Sequence, residues 1–398
     1  MGVLVLSADL LLGVDAHQRD FFTYYLAGLS YRLGLDPYDL AVLTGLAGGR
    51  VVHPFVYPPM TVPLFGALAA LDFPVAYHVF LGIKATALAA LFGVWRKSFV
   101  RGLDIGFILF GLLAYHAALY VDFRVGNVSV FEQLLMWIAF SQLIQGRASA
   151  FGGLMVLASV FKLTPILFLP LVLLVGNSRA RIALLASLGV FSSALALSLL
   201  ISPTLFVGFL TGLSGLDERG VVNPSVLAFW TDVAEHVSAT AGVACPRMLP
   251  MGLYGLTTAG VLLISWQAGR RHLASGRPPS LVNLLYLACF VYALVLPRFK
   301  TYAFQLLLVP TYMLLTRNEQ HTGAGEIGSL LRTWGLPGAF AVLSSLSLVT
   351  SFWAAQAGFL LAYAPLYAAT LAWGLWILVL RSSGSPAASH TTASGALP

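Results

Sequence analysis

Long apolar runs separated by short polar loops dominate the pattern of this chain. A helix that crosses a membrane needs ~20 predominantly apolar residues, although shorter ones occur inside bundles. One further apolar segment, 58–72, is short and begins with Pro58 and Pro59, which favours an interfacial or re-entrant helix. The pattern predicts about twelve spanning helices, near residues 1–15, 74–95, 103–120, 128–145, 149–161, 164–177, 182–202, 247–267, 281–296, 301–316, 335–352 and 357–380.

Composition agrees with this pattern. Hydrophobic residues make up 59% of the 398 residues and charged residues only 9%, whereas a soluble domain carries about 25% charged residues. The predicted fold class is therefore an all-α polytopic membrane protein with a single transmembrane domain over residues 1–380. Residues 381–398 are rich in Ser, Ala, Thr and Gly, which is typical of a disordered tail.

The distribution of Lys and Arg orients the predicted helices. Basic residues concentrate in the cytoplasmic loops of membrane proteins, so the net charge of +7 indicates orientation and not a nucleic-acid partner. A consistent layout requires a break within 149–177, which Pro165 supplies because proline disfavours helix at the residue before it. Both termini are then cytoplasmic, on the same side as Arg96, Lys97, Arg101, Arg147, Arg179, Arg181, Arg270, Arg271, Arg277, Arg317, Arg332 and Arg381.

Polar residues on the outer side run against this charge bias and need another explanation. The densest stretch is 15–59, which is polar, aromatic and rich in proline. Intramembrane and interfacial charges in such proteins usually mark a functional site. We therefore predict a polar site on the outer face, drawn from Asp15, Asp20, His53, Asp122, Arg124, Lys162, Asn223, Arg298 and Lys300.

Asp20 is the candidate general base of this site. It lies in the run R-D-F-F-T-Y-Y-L-A-G, just after the first predicted span. Glycosyl transfer needs one carboxylate to take a proton from the acceptor hydroxyl. Two alternatives stay open, since Asp is also a favoured helix N-cap and Asp15 lies closer to the end of the span.

Four cations are candidates for binding a donor phosphate. Lys162 lies at the predicted helix break, where a buried cation is costly unless it serves a site. Its expected partner there is a lipid phosphate or a site carboxylate, although its side chain could also snorkel to the surface. Arg124 either binds phosphate with its guanidinium fork or pairs with Asp122. Arg298 and Lys300 stand two residues apart in L-P-R-F-K-T-Y, as an anion site or an ordinary loop pair.

The remaining candidates are neutral or acidic residues that suit a sugar or acceptor. Tyrosines at this interface either form an aromatic belt or line a sugar site. No metal site or cofactor is expected, because Cys245 and Cys289 lack metal-ligand spacing and no D-x-D motif occurs. The predicted sugar- and acceptor-binding residues are Tyr24, His53, Tyr57, Asp122, Asn127 and Asn223.

Several of these motifs resemble glycosyltransferase family 87 in their order and spacing. They are D-F-F-T-Y-Y-L-A-G, D-P-Y-D, P-F-V-Y-P-P-M-T-V-P-L-F, V-G-N and F-K-L-T-P, all within the first 165 residues. The resemblance implies a C-type glycosyltransferase fold, a polyprenyl-phosphate sugar donor and an acidic base that aligns with Asp20. The family often has Gln after the glycine of V-G-N, where this chain has Asn127.

The expected function is therefore transfer of a sugar, most simply mannose, from a polyprenyl-phosphate donor to a glycolipid or glycan acceptor. The reaction is expected on the periplasmic face of a bacterial inner membrane, among membrane lipids, by inverting direct displacement. A transporter or flippase of a lipid-linked or anionic substrate is the alternative, with Lys84 as its main polar residue away from the outer loops. A polymerase or ligase that moves a lipid-linked oligosaccharide is the third possibility. A large outer loop would favour it, and 203–246 is the only candidate for such a loop.

Overall fold

A computed structural model describes residues 18–100, 105–214, 217–242, 245–246, 248–274, 280–316, 335–346 and 359–382. These residues form helices and no strands. Five 3-10 helices cover Pro59–Thr61, Thr164–Val175, Gly220–Val222, Thr301–Leu307 and Phe359–Tyr363. The α-helices are α1 (Arg19–Arg32), α2 (Leu40–Leu46), α3 (Val62–Leu68), α4 (Phe73–Ser98), α5 (Ile105–Val125), α6 (Ser129–Ile144), α7 (Ala148–Phe161), α8 (Ser178–Ile201), α9 (Pro203–Ser214), α10 (Val226–Ala241), α11 (Met248–Ala274), α12 (Leu281–Val295), α13 (Leu308–Thr316), α14 (Leu336–Ser344) and α15 (Ala364–Ser382).

Five helices in the described part of the chain are long and apolar enough to cross a membrane. They are Phe73–Ser98, Ile105–Val125, Ser178–Ile201, Met248–Ala274 and Leu360–Arg381, and seven shorter apolar helices accompany them. Only 6% of the most apolar window of Ser178–Ile201 is buried inside the structure, and only 11% of that of Met248–Ala274. Such exposed apolar surface is unfavourable in water, so these helices indicate a membrane protein.

The predicted break at Pro165 is present. Helix α7 ends at Phe161, Lys162 is extended with φ −142° and ψ 133°, and a 3-10 helix follows from Thr164. Twelve residues is long for a 3-10 helix. Pro165 and the interior Pro170 lack the backbone donors that a regular α-helix would need there. The break leaves Lys162 at a helix end inside the bundle.

Other predicted segments differ in detail. The span predicted at 103–120 contains a break, where Tyr115, His116 and Ala117 have φ of 55°, 60° and 51°. The freed backbone N–H groups of Tyr115 and His116 donate to the hydroxyls of Ser344 and Ser345. Helices α9 and α10 occupy the segment 203–246, which was expected to be a large outer loop. The first predicted span, part of 335–352 and the predicted tail beyond Ser382 fall outside the described residues, whereas Arg381 and Ser382 form the end of α15.

Aromatic packing holds α1 and α3 together with the segment 52–57 as one of two core clusters. Tyr24 stacks on Phe65, with 4.8 Å between ring centroids, and meets Tyr57 edge-on at 4.9 Å. The two helices cross closely at Gly28, where a β-carbon would collide with the backbone of Phe65 and Gly66. The glycine of the Y-L-A-G motif is thus required by packing.

Several helix termini meet at one end of the bundle. α7 and α12 end there, and α6 and the 3-10 helix Thr301–Leu307 begin there, because residues at each of these termini line one cavity. The basic residue Arg147 lies between α6 and α7 at their opposite ends. At 1.5 Å per residue, α6 separates it from the cavity by roughly 24 Å. The bundle therefore carries its polar cavity at one end.

Candidate active site

A cavity of about 310 Å³ opens at this end of the bundle. Its wall combines charged groups with aromatic and aliphatic side chains. The charged lining residues are Arg19, Asp20, Glu132, Lys162, Glu218, Arg298 and Lys300, and the aromatic and aliphatic ones include Tyr24, Tyr57, Phe161, Phe209, Leu213, Tyr292, Phe299 and Tyr302. A volume of this size is at the small end of ligand pockets, and the lining suits a polar, anionic group attached to an apolar chain.

Asp20 lies in the first turn of α1 with its side chain only 13% exposed. It is not the N-cap, because that position belongs to Gln18. Its Oδ2 accepts a hydrogen bond of 2.7 Å from Asn127 Nδ2. Its Oδ1 lies 3.7 Å from Arg19 Nε, which is a loose ion pair at the rim. The carboxylate is therefore oriented by a neutral donor and is not neutralised by a tight ion pair.

The backbone fixes the orientation of the Asn127 amide. Its Oδ1 faces the backbone N–H of Ser129 at 3.1 Å, and a backbone N–H can only donate. The Nδ2 group must then face Asp20, and it also lies 3.0 Å from the hydroxyls of Tyr24 and Tyr57. These two hydroxyls contact each other at 2.6 Å. Asn127 thus positions the carboxylate from behind the cavity wall and is not among its lining residues.

Lys162 is bound into the same network. Its Nζ lies 2.7 Å from Glu132 and donates to the hydroxyl of Ser129. Because an ammonium can only donate hydrogen bonds, the Ser129 hydroxyl accepts from Lys162. Its own hydrogen is then free to be donated to Asn127 Oδ1, 2.8 Å away. A continuous chain of donors therefore runs from Lys162 through Ser129 and Asn127 to Asp20.

Arg298 and Lys300 form a second cationic group in the cavity wall. Both contact the Glu218 carboxylate, with Arg298 Nε 2.9 Å from Oε2 and Lys300 Nζ 2.8 Å from Oε1. Burial opposes ionisation of Glu218, but Lys300 and Arg298 outweigh it and lower the pKa of this carboxyl. The Tyr302 ring lies between the two groups, 5.1 Å from Lys162 Nζ and 5.8 Å from Lys300 Nζ.

His53 lines the same cavity. Burial lowers the pKa of its imidazole, and the nearby Arg19 and Lys300 lower it further, while Asp20 opposes them. The ring is therefore neutral at pH 7 and can donate one hydrogen bond and accept another. Those are the contacts that a sugar hydroxyl can use.

Besides Asn127, three predicted site residues do not line the cavity. Asp122 is fully buried and pairs with Lys84, 2.7 Å from its Nζ, so Asp122 is not the partner of Arg124. Arg124 is exposed and does not line the cavity. Asn223 is structural, since its Oδ1 accepts from the Phe299 N–H at 2.9 Å and its Nδ2 donates to the Glu218 carbonyl at 2.8 Å. Asp15 lies outside the described residues.

Sequence reasoning missed Glu132, Ser129 and Glu218. Glu132 had a usable signal, because it is an acid within the apolar run 128–145 and such residues are functional candidates by default. Ser129 and Glu218 had none, since their roles depend on contacts with distant residues. Among the described residues, no three His, Cys, Asp or Glu side chains are grouped so that they could hold a metal ion.

A family model described as Glycosyltransferase family 87 matches residues 55–297. The matched range contains Tyr57, Asn127, Glu132, Lys162 and Glu218. Asp20 precedes it, and Arg298 and Lys300 follow it. No curated protein and no solved structure matches the chain.

Proposed function

The chain belongs to glycosyltransferase family 87, and we propose that it transfers a sugar, with mannose as the first candidate, from polyprenyl phosphate to a glycolipid or glycan. The observation that carries this proposal is the convergence of Asp20 with Lys162, Arg298 and Lys300 on one cavity. These residues come from three separate parts of the sequence. One carboxylate facing several cations is what transfer from a phosphate-linked donor requires.

Asp20 is the best placed base among the three lining carboxylates. Glu132 is in a tight ion pair with Lys162, and Glu218 bridges two cations. A carboxylate held by cations is a weaker proton acceptor, because protonation would break the ion pair. Asp20 has only a neutral amide and the loose contact with Arg19.

The reaction then proceeds by direct displacement with inversion. The acceptor oxygen attacks the anomeric carbon, its proton passes to Asp20, and the bond from the anomeric carbon to the phosphate oxygen breaks. Lys162, Arg298 and Lys300 stabilise the charge that develops on the departing polyprenyl phosphate. A phosphate leaves without a general acid, so one carboxylate suffices, in contrast to the carboxylate pair of glycosidases.

We also propose that the chain has a C-type glycosyltransferase fold with about twelve spans and a periplasmic active site in a bacterial inner membrane. The arrangement of charge supports this orientation, because the loop with Arg147 lies at the helix ends away from the cavity. Basic loops of this kind are cytoplasmic. The transporter alternative loses its main support, since Lys84 is buried in an ion pair with Asp122 and does not line the cavity.

The test is direct. Purified protein is incubated with labelled polyprenyl-phosphate mannose or arabinose and a membrane extract, and the labelled product is identified. The expected result is consumption of one lipid-phosphate sugar with label appearing in a glycolipid or glycan. If neither donor is consumed by protein that is folded and monodisperse, the proposed donor class is wrong.

A further inference from the structure

Glu218 holds both cations of the Arg298–Lys300 pair at once. Its Oε2 accepts from Arg298 Nε at 2.9 Å and also from a second guanidinium nitrogen, while its Oε1 lies 2.8 Å from Lys300 Nζ. Arg298 thus donates hydrogen bonds to one carboxylate oxygen, and Lys300 donates one to the other. This is the arrangement in which two cations bind the oxygens of a phosphate.

We propose that the Glu218 carboxylate is an internal stand-in for the donor phosphate, which must displace it from Arg298 and Lys300 in order to bind. This inference rests on the proposed function, because it takes these cations as the donor phosphate site. Glu218 lines the cavity itself, so an incoming anion reaches the same two partners and competes for them directly.

The backbone around Glu218 is anchored independently of its carboxylate. The neighbouring Arg219 Nε lies 2.8 Å from Asp217, and Arg219 also contacts Asp232 at 3.2 Å and Glu235 at 2.7 Å. Asn223 Nδ2 donates to the Glu218 carbonyl at 2.8 Å. The carboxylate can therefore leave the cations by rotation about its own side-chain bonds while the main chain stays in place.

Displacement of an internal anion makes the site selective. A ligand gains the two cations only if its negative charge compensates for the loss of Glu218, so a neutral sugar or free acceptor obtains little from this part of the cavity. A phosphate that carries a lipid has both the charge and the apolar chain that the lining favours. Glu218 is thus expected to weaken the binding of every anion, so that only an anion with additional favourable contacts, such as a lipid-linked phosphate, binds well.

The experiment measures the affinity of reconstituted, full-length protein for polyprenyl phosphate without a sugar. Glu218→Gln keeps the size of the side chain and removes its charge. We expect it to bind the probe about tenfold more tightly than wild type, which is about 1.4 kcal/mol. Glu235→Gln is the matched control, since Glu235 also pairs with an arginine but does not line the cavity, and it should bind like wild type.

Two further variants separate the possible outcomes. Glu218→Asp keeps the charge on a shorter side chain, so we expect its affinity for the probe to lie between those of wild type and Glu218→Gln. This variant still tests the stand-in role if Glu218→Gln folds poorly. Arg298→Gln should weaken binding and also abolish most of the gain from Glu218→Gln in the double variant. If Arg298→Gln weakens binding but Glu218→Gln does so as well, the stand-in role is refuted and the phosphate site stands. If Arg298→Gln and the Glu218 variants all leave binding unchanged, both the site and the stand-in are refuted.

Discussion

Replacement of Asp20 by Asn tests the base with little change in shape. The amide keeps the volume of the carboxylate, and its oxygen can still accept the hydrogen bond from Asn127 that now measures 2.7 Å. A hydrogen bond to a charged group contributes about 1.5–3 kcal/mol and a neutral one about 0.5–1.5 kcal/mol. The expected loss of stability is therefore only about 1 kcal/mol.

The expected loss of activity is much larger. General base catalysis contributes about 10²–10⁴ in rate, which is about 3–5.5 kcal/mol. We expect the turnover of Asp20→Asn to fall by at least a hundredfold, with the KM for the lipid donor changed by less than about threefold, because the carboxylate does not bind the phosphate. The assay is transfer of labelled sugar from polyprenyl phosphate under saturating donor.

Asp36→Asn is the matched control. Asp36 Oδ1 accepts a hydrogen bond of 2.8 Å from the Tyr38 N–H, and Asp36 is exposed and away from the cavity. The same chemical change there should leave turnover at the level of wild type. If Asp20→Asn is folded and retains more than about a third of the wild-type turnover, Asp20 is not the base, and Glu132→Gln becomes the next variant to measure.

Three other predictions concern the phosphate site, the packing and the response to pH. Lys162→Met should lower transfer by about tenfold or more, because the variant loses a cation that is proposed to stabilise the leaving phosphate. Unchanged transfer would show that Lys162 does not have this role. Gly28→Ala should destabilise the protein by about 1–3 kcal/mol, since its β-carbon collides with the Phe65 backbone, and Gly45→Ala, which meets no atom within 4 Å, should leave the melting temperature unchanged or slightly raised. Burial and neighbouring cations lower the pKa of His53, so its contribution to stability is present above its ordinary pKa of about 6.5 and is lost as the pH falls below it. The melting temperature of His53→Gln should accordingly fall less between pH 7.5 and 5.5 than that of wild type, and equal pH dependence would contradict this assignment.

Features that depend on neighbouring residues could be predicted from the sequence. Pro165 indicates the helix break at Lys162. The apolar runs place both ends of α4 and α8 and the start of α11 within a few residues of the observed ones, whereas α11 continues beyond its predicted end to Ala274. Helices α9 and α10 lie in the segment 203–246, which was expected to be a large outer loop. The break within α5 has no proline or glycine at its centre, so nothing local indicates it.

The site was predictable only in part, because an acid at a helix end has the same sequence signature whichever way it points. Asp20 and Asp122 both follow that pattern, but Asp20 faces the cavity and Asp122 faces the buried Lys84. The sequence contains no signal for that choice, since Lys84 lies on another helix. Glu218 reaches Arg298 from 80 residues away, and such a contact depends on the whole topology of the bundle.

The separation of the site residues along the chain has a consequence for biosynthesis. Asp20 is synthesised with the first helices, whereas Arg298, Lys300 and Tyr302 are synthesised almost three hundred residues later. A chain that stops before them carries Asp20 and the Lys162 network but lacks the second cationic group. The lining of the cavity is therefore complete only when the 3-10 helix Thr301–Leu307 has packed beside α6. Incomplete chains should be inert, so the enzyme gains activity as a late step of its own assembly.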